Sequence, residues 1–280
     1  MRQLLKVFRI LSIDVVLGAL ASGGLVVWWL EQPMPLVWWI ALPLSVWVIY
    51  TADHLMDAYR LKDQAHTDRH LFHHRYFRLL FVAWLIGMSI CVFLIPVFLT
   101  SQIWLFGMGM GILVIGHLSL VSIVGDRISW FFHKELGVGV IYACGIWGAP
   151  ALFARVFSTP DLWIPFVQFL ILALINLFVF SAYEAKTDEL DGHTSFVRAI
   201  GVRNTTYLVT SLAMVVLLLG VCLSFQPMEA KRFLVLQMIY LCMLTVLVMI
   251  HFFPQWFVGE EKYRAWGDAV FIFPGIVWII

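Results

Sequence analysis

The longest stretch without a charged residue runs for 47 residues, from Leu79 to Gly125. One membrane helix needs only about 20 apolar residues, so this run is long enough for two. The polar sequence Thr100-Ser101-Gln102 near its middle is typical of a turn, which predicts a helical hairpin. The composition agrees, because 62% of the residues are hydrophobic and only 12% are charged. We therefore predict an all-α, polytopic membrane protein.

Comparable apolar runs along the chain predict about nine transmembrane helices around one cytoplasm-facing cavity. They form a single membrane domain, residues 1–280. The last run is short for a full crossing. The predicted spans are 10–30, 36–54, 79–99, 103–124, 135–154, 162–183, 204–225, 233–253 and 267–280.

The distribution of basic residues predicts the orientation. With these spans, only Arg155, Lys231 and Arg232 of the 18 Lys and Arg residues lie on the side opposite the N-terminus. The positive-inside rule then places the N-terminus in the cytoplasm, and we expect an integral, multi-pass protein of the bacterial inner (plasma) membrane. The net charge of +1 does not indicate a nucleic-acid partner.

Two acidic segments end the second and sixth predicted helices. Asp53 and Asp57 are four residues apart, as are Glu184 and Asp188, so each pair lies on one face if its helix continues. Carboxylates near membrane depth are costly unless a cation is present, and Mg²⁺ binds through a few carboxylates plus phosphate oxygens. Basic residues near both segments favour a diphosphate. We predict that Mg²⁺ and an isoprenoid diphosphate bind at the cavity mouth.

These segments resemble two motifs of the UbiA superfamily of intramembrane prenyltransferases. The motifs are N-D-x-x-D-x-x-x-D after helix 2 and D-x-x-x-D-x-x-x-G after helix 6. The resemblance extends over the whole chain through its length, helix count and motif placement. The matching positions are Asp53 and Asp57 in the first motif and Glu184, Asp188 and Gly192 in the second, while Ile49-Tyr50 replaces the leading Asn-Asp and Glu184 replaces an aspartate.

The resemblance implies transfer of an isoprenoid group from a prenyl diphosphate to a lipophilic acceptor, with an aromatic ring as one candidate. It also implies Mg²⁺, which promotes loss of the diphosphate and formation of an allylic cation. The resemblance implies metal binding and catalysis for Asp53, Asp57, Glu184 and Asp188, and diphosphate binding for Arg69 and Lys134. The residues themselves add three expectations: further metal binding by Asp191, diphosphate binding by Arg198, and cavity lining by Asp14, Tyr142 and Tyr183.

Three alternatives stay open on the sequence. A membrane terpene cyclase of the same fold would direct the cation onto its own chain, and only the shape of the cavity distinguishes it. A secondary transporter usually has two repeated halves and charges near the midplane, whereas this sequence has no internal repeat. An inactive lipid-binding protein would keep the same helices and motifs. The length of the prenyl chain and the acceptor do not follow from the sequence.

Overall fold

The computed structural model describes residues 2–62, 67–124, 134–156, 159–190, 195–225 and 229–279. These parts of the chain are almost entirely helical and contain no strand, as predicted. The α-helices are α1 (Arg2–Ile10), α2 (Ile13–Trp29), α3 (Leu36–Leu61), α4 (Asp68–Arg75), α5 (Phe77–Ser89), α6 (Ile95–Phe98), α7 (Ser101–Val124), α8 (Lys134–Ala154), α9 (Pro160–Leu190), α10 (Phe196–Ile200), α11 (Val202–Leu223), α12 (Ala230–Phe252), α13 (Pro254–Phe257) and α14 (Lys262–Ala269), with a π-helical segment at Ile90–Leu94 and 3₁₀ segments at Gly259–Glu261 and Val270–Trp278.

Seven helical segments in the described ranges are long and apolar enough to cross a membrane. They are α3, α7, α8, α9, α11, α12 and the continuous stretch Phe77–Phe98, which combines α5, the π-helical segment and α6. The predicted polytopic membrane protein is thus confirmed. The apolar helix α2 is shorter, with 17 residues.

The last predicted helix, 267–280, is not one α-helix. It consists of the end of α14 and the nine-residue 3₁₀ segment Val270–Trp278. A 3₁₀ helix rises about 2.0 Å per residue, so this segment covers about 18 Å of a hydrocarbon core that is about 30 Å thick. Pro274 within it removes one backbone donor, which disfavours a regular α-helix.

The two helices that carry the acidic segments extend beyond their predicted ends. α3 continues to Leu61 instead of 54, and α9 continues to Leu190 instead of 183. Hydropathy falls where charged residues begin, but Ala, Leu, Glu and Lys still favour helical backbone, so each helix persists. Each acid pair therefore lies within a continuous helix, with its two members one turn apart on one face.

The centre of the bundle is α9. Phe169, Leu172, Ile175 and Val179 recur every three or four residues along it and are almost completely buried. In contrast, α7 has many exposed apolar side chains, as expected of a helix that faces lipid. Packing around α9 thus fixes the positions of α8, α11 and α12.

Glycines on α2 allow the last segment to pack closely against it. A Cβ atom at Gly18 would lie 2.9 Å from the Cβ of Phe271, and one at Gly24 would overlap the indole of Trp278. The hydroxyl of Ser22 donates a hydrogen bond to the carbonyl of Phe271 at 3.2 Å. Small residues at helix contacts are typical of membrane bundles. This contact holds α14, just before it, beside the acidic end of α9.

Candidate functional site

A cavity of about 830 Å³ lies between α3, α7, α8 and α9. On α3 its lining extends from Trp38 to Asp57, which corresponds to about 28 Å along an α-helix. The Trp38 end is lined by apolar and aromatic side chains, including Trp104 and Phe106 of α7. The Asp57 end is polar and charged. The cavity therefore has the form expected for an amphiphile with a charged head and a long apolar tail.

All four motif acids line the polar end of this cavity. Asp53 and Asp57 reach it from α3, and Glu184 and Asp188 reach it from α9. The ends of two helices that are far apart in sequence therefore present carboxylates to one space. This is the arrangement that the sequence predicts.

Lys134 lies between the two acidic segments. Its Nζ is 3.4 Å from both carboxylate oxygens of Asp53. It also interacts electrostatically with Asp57 on α3 and with Asp188 on α9. A cation at the first residue of α8 thus partly neutralises both acid pairs, in the position where the sequence predicts a diphosphate contact.

Arg264 of α14 is a site residue that the sequence did not indicate. Its Nε is 2.6 Å from Oε1 of Glu184, and its guanidinium lies over the Phe180 ring at 5.8 Å. Both charged side chains are only 20% exposed. Burial alone would lower the pKa of Arg264, but Glu184, Tyr263 and Asp268 together outweigh it, and the pKa is raised. The C-terminal part of the chain therefore contributes a firmly charged group to the cavity.

Arg69 of α4 is a second guanidinium at the cavity. Burial lowers the pKa of Arg69, and the neighbouring Arg264 lowers it further, whereas Asp268, Glu184 and Asp14 act in the opposite direction. Two half-buried guanidinium groups within electrostatic reach of each other create a strongly positive region. An anion that enters the cavity between them relieves this repulsion. The geometry agrees with the predicted role of Arg69 in diphosphate binding.

Asp57 is associated with a histidine cluster on α3 and α4. The Nε2 atom of His70 is 3.6 Å from Oδ2 of Asp57. The ring of His54 lies 5.0 Å from that of His73, and its Nε2 is 3.2 Å from the hydroxyl of Ser12. These contacts hold α4 against the acidic end of α3. In the ranges that the structure describes, no three His, Cys, Asp or Glu side chains form a ready metal site.

The donor set nevertheless fits Mg²⁺. Glu135 of α8 lines the cavity beside Asp188, and its Oε1 accepts a hydrogen bond from the Phe196 amide at 2.8 Å, while its buried Oε2 has no hydrogen bond to any residue that the structure describes. Hard carboxylate oxygens of this kind are the ligands that Mg²⁺ prefers. Glu135 was not predicted, because its sequence context is simply the start of an apolar helix. The predicted ligand Asp191 lies outside the described residues.

No family profile and no curated protein sequence matches this chain. The fold, in contrast, matches two solved structures. One is a UbiA homolog from Aeropyrum pernix K1 in its apo form, with a TM-score of 0.68 and 12% identity over 95% of this chain and 98% of that one. The protein has a UbiA-type fold. The other is from a structural study of digeranylgeranylglyceryl phosphate synthase, with a TM-score of 0.54 and 12% identity over 100% of this chain and 97% of that one.

Of the two tyrosines that the sequence predicts to line the cavity, only one does so among the described residues. Tyr142 lines the cavity, and its ring contacts Phe271 edge to face with the centroids 5.4 Å apart. Tyr183 is not among the described residues that line it. Its hydroxyl donates to the Ile250 carbonyl at 2.7 Å, and its ring stacks on Tyr263.

Arg198 and Asp14 are likewise not among the described residues that line the cavity. Arg198 is exposed on the short helix α10. Asp14 is half-buried near the start of α2, where its Oδ1 accepts a hydrogen bond from the Val15 amide at 3.0 Å. Asp14 interacts electrostatically with Arg69 and Asp268, which line the cavity, so it lies directly behind these two residues.

Proposed function

We propose that this protein is an intramembrane prenyltransferase, which transfers an isoprenoid group from a prenyl diphosphate to a lipophilic acceptor. The observation that carries the proposal is one cavity with an acidic and basic mouth and a long apolar interior. The two structural neighbours support it, since one is called a UbiA homolog and the other a digeranylgeranylglyceryl phosphate synthase. A reaction between amphiphiles requires both regions in one space.

The diphosphate binds to the basic side chains at the mouth. Lys134, Arg69 and Arg264 line this region from α8, α4 and α14. An arginine fork contacts two phosphate oxygens at once, and a lysine supplies a compact charge, so the three cations suit a group with several anionic oxygens. The isoprenoid tail then extends along α3 toward Trp38.

Mg²⁺ is the cofactor of this proposal, and the residues that would hold it are the four motif acids and Glu135. When bound, it supplies positive charge to the diphosphate oxygens and makes the diphosphate a better leaving group. The ion pairs of Asp53 with Lys134 and of Glu184 with Arg264 keep these carboxylates oriented toward the cavity. Each cation is then close to both the acids and the diphosphate.

The side chains of the cavity direct the reaction. The carbon–oxygen bond between the isoprenoid and the diphosphate breaks, and the diphosphate keeps the electron pair and stays among the basic groups. The aromatic ring of Tyr142, which lines the cavity below the mouth, stabilises an allylic cation, and the apolar lining excludes water. The acceptor forms a bond to the cationic carbon and loses a proton, which the released diphosphate accepts.

The proposal includes the cellular arrangement. The protein is an integral, multi-pass membrane protein with its cavity mouth and N-terminus in the cytoplasm, where soluble prenyl diphosphates are available. This orientation rests on the positive-inside rule. A reporter fused after residue 9 and another in the α12–α13 region distinguish the two possible orientations.

The test is turnover by the purified protein in liposomes. Radiolabelled farnesyl and geranylgeranyl diphosphates are incubated with Mg²⁺ and a membrane lipid extract, and diphosphate release and prenylated products are measured. The proposal expects Mg²⁺-dependent release of diphosphate and a new lipid that contains the label. A cyclic product in the absence of any extract would indicate a terpene cyclase. Binding without release would indicate an inactive lipid-binding protein.

A further inference from the structure

One histidine of the cavity lining has no role in the site described above. His117 is a half-buried residue of α7, and it lines the main cavity. Phe106, at the apolar end of the cavity, precedes it by 11 residues on the same face of α7, which corresponds to about 16 Å along an α-helix. The α7 residues that line the cavity between them are glycines and apolar side chains. His117 is therefore the hydrogen-bonding side chain that α7 presents toward the charged end.

Two charged residues of the mouth lie near His117. Its ring interacts electrostatically with Lys134 of α8 and with Asp53 of α3. These two residues form a salt bridge with each other. The Nε2 atom of His117, in contrast, is buried and has no hydrogen bond to any residue that the structure describes. An unsatisfied buried polar atom is unfavourable, and one in the lining of a large cavity points to a ligand as its partner.

Gly137 of α8 holds the imidazole in this place. It follows Lys134 by about one helical turn. A Cβ atom at Gly137 would overlap Cε1 and Nδ1 of the His117 ring and would lie 3.0 Å from its Nε2. The absence of a side chain therefore lets the ring lie directly against the backbone of α8. This contact fixes the imidazole one turn away from Lys134.

The position beside Lys134 specifies the ligand. A ligand that binds to an ammonium group has anionic or carbonyl oxygens, which accept hydrogen bonds and do not donate them. An imidazole nitrogen that carries hydrogen is a donor, so His117 can bind such an oxygen through an N–H group. In the proposed function, the anionic ligand at Lys134 is the diphosphate.

We propose that His117 binds the diphosphate through an imidazole N–H group and completes the mouth of the cavity from the side of α7. The identity of the ligand rests on the proposed function. The three basic residues of the mouth come from α8, α4 and α14, so the α7 side has no other polar group there to hold the diphosphate. A neutral imidazole donates this hydrogen bond without adding to the repulsion among the three cations.

The first measurement is the binding of two probes, pyrophosphate with Mg²⁺ and geranylgeranyl thiolodiphosphate, to the protein in lipid nanodiscs. The thiolodiphosphate has sulfur in place of the bridging oxygen and reacts poorly, so its binding is measured without turnover. His117→Phe keeps an aromatic ring but has no N–H group. We expect this variant to bind both probes ~10-fold more weakly, as for the loss of a hydrogen bond to a charged group. Its melting temperature should be unchanged.

His251→Phe is the matched control. His251 is also a half-buried histidine of a membrane helix, but its Nε2 is 3.2 Å from Oγ1 of Thr206, and it is not among the described residues that line the cavity. We expect this variant to bind both probes within ~2-fold of the wild type and to have a lower melting temperature, because it loses a hydrogen bond within the protein.

Gly137→Ala tests the same contact without altering His117. The added methyl group displaces the imidazole, so probe binding should weaken at least ~3-fold. In a protein that already carries His117→Ala, the same change should cause no further loss, because the displaced ring is absent. Gly116→Ala is the control on α7, since nothing lies within 4 Å of its Cβ position. It should leave probe binding unchanged.

The imidazole itself gives the most direct measurement. NMR of protein that contains isotope-labelled histidine resolves the ring nitrogens, and the signal that is missing from His117→Phe belongs to His117. We expect this signal to move when pyrophosphate and Mg²⁺ are added, because the N–H group gains an acceptor. The signal of His251, identified in the same way, should stay in place.

Two results would overturn the inference and leave the proposed function standing. One is equal binding of the probes to His117→Phe and to the wild type. The other is a His117 signal that does not move with pyrophosphate, since any loss of binding in the variant would then be indirect. If His117→Phe does not fold, Gly137→Ala and the wild-type NMR signal decide. A wild-type protein whose His117 signal moves, but which never releases diphosphate from geranylgeranyl diphosphate, would refute the proposed function alone.

Discussion

Lys134 contacts Asp53 through a salt bridge with 3.4 Å between Nζ and Oδ1, and so connects the start of α8 to the acidic end of α3. The same ammonium acts electrostatically on Asp188 of α9. Lys134→Met should therefore weaken geranylgeranyl diphosphate binding by about 10- to 100-fold, the usual effect of losing a charge-assisted contact. Equilibrium binding in nanodiscs measures it.

Lys186→Met is the control for that substitution. Lys186 lies on α9 between Glu184 and Asp188 in sequence, but it is exposed and does not line the cavity. Its loss should change binding less than ~2-fold, since exposed charges in water contribute little. Equal losses in both variants would mean that overall charge, and not the position of Lys134, determines binding.

Removal of the motif carboxylates should abolish turnover. Asp57→Asn and Asp188→Asn should each reduce diphosphate release more than ~100-fold, comparable to the loss of a principal electrostatic stabiliser. A chelator should stop diphosphate release by the wild-type protein, and added Mg²⁺ or Mn²⁺ should restore this activity. Glu189→Gln, one residue from Asp188 but exposed, should keep near wild-type turnover. Active Asp57→Asn and Asp188→Asn variants would refute the acidic metal site.

The pair formed by Glu184 and Arg264 should show strong coupling in a double-mutant cycle. Arg264→Met leaves a carboxylate that is only 20% exposed without its partner, so it should destabilise the protein by roughly 3 kcal/mol. Adding Glu184→Gln should recover much of this loss. Unfolding in detergent is the measurement. If the loss of unfolding free energy in the double variant equals the sum of the losses in the two single variants, the coupling is refuted.

Gly267→Ala should destabilise the contact between α14 and α9. The added methyl group would meet Asn176 Oδ1 and the Phe180 ring at 2.5 Å, and overpacking of this kind costs about 1–3 kcal/mol. Gly116→Ala on α7 is the matched substitution, because nothing lies within 4 Å of its Cβ position. It should be neutral or slightly stabilising. Melting temperatures of the two variants test the difference.

The stability of the α3–α4 contact should depend on pH through His73. Burial lowers the pKa of His73 in the folded protein, and the charge of Arg69 lowers it further. A hydrogen bond to the Arg69 carbonyl acts in the opposite direction but is outweighed. The unfolded chain then binds a proton more readily, so stability falls as the pH drops below about 6.5. His73→Gln should have a flatter stability profile from pH 7.5 to 5.5. The same slope in both proteins would contradict this.

The sequence predicts the helices and the acidic pairs well, because each depends on local information. Charge-free runs define apolar helices, and four-residue spacing places Asp53 with Asp57 on one face. The ends of α3 and α9 were predicted too early, since hydropathy falls before helical backbone ends. The structure shows both acid pairs inside continuous helices.

Long-range contacts were not predictable in the same way. Arg264 looks like an ordinary basic residue near a helix start, and only the fold brings it to Glu184. Tyr183 was predicted to face the cavity, but helical spacing alone does not tell which neighbour its side chain meets. In the structure its ring stacks on Tyr263, 4.3 Å away. Two departures from the motifs are visible in the sequence as signals of an altered site, namely Ile49-Tyr50 in the first motif and Glu184 in the second.

The most direct test of the account is release of diphosphate from radiolabelled geranylgeranyl diphosphate by the purified protein in liposomes, with Mg²⁺ and a membrane lipid extract. The account predicts release that requires Mg²⁺, yields a labelled lipid, and is lost in Asp188→Asn but kept in Glu189→Gln. Absence of release by a protein that binds the diphosphate through Lys134 would contradict prenyl transfer and leave a binding protein with the same fold.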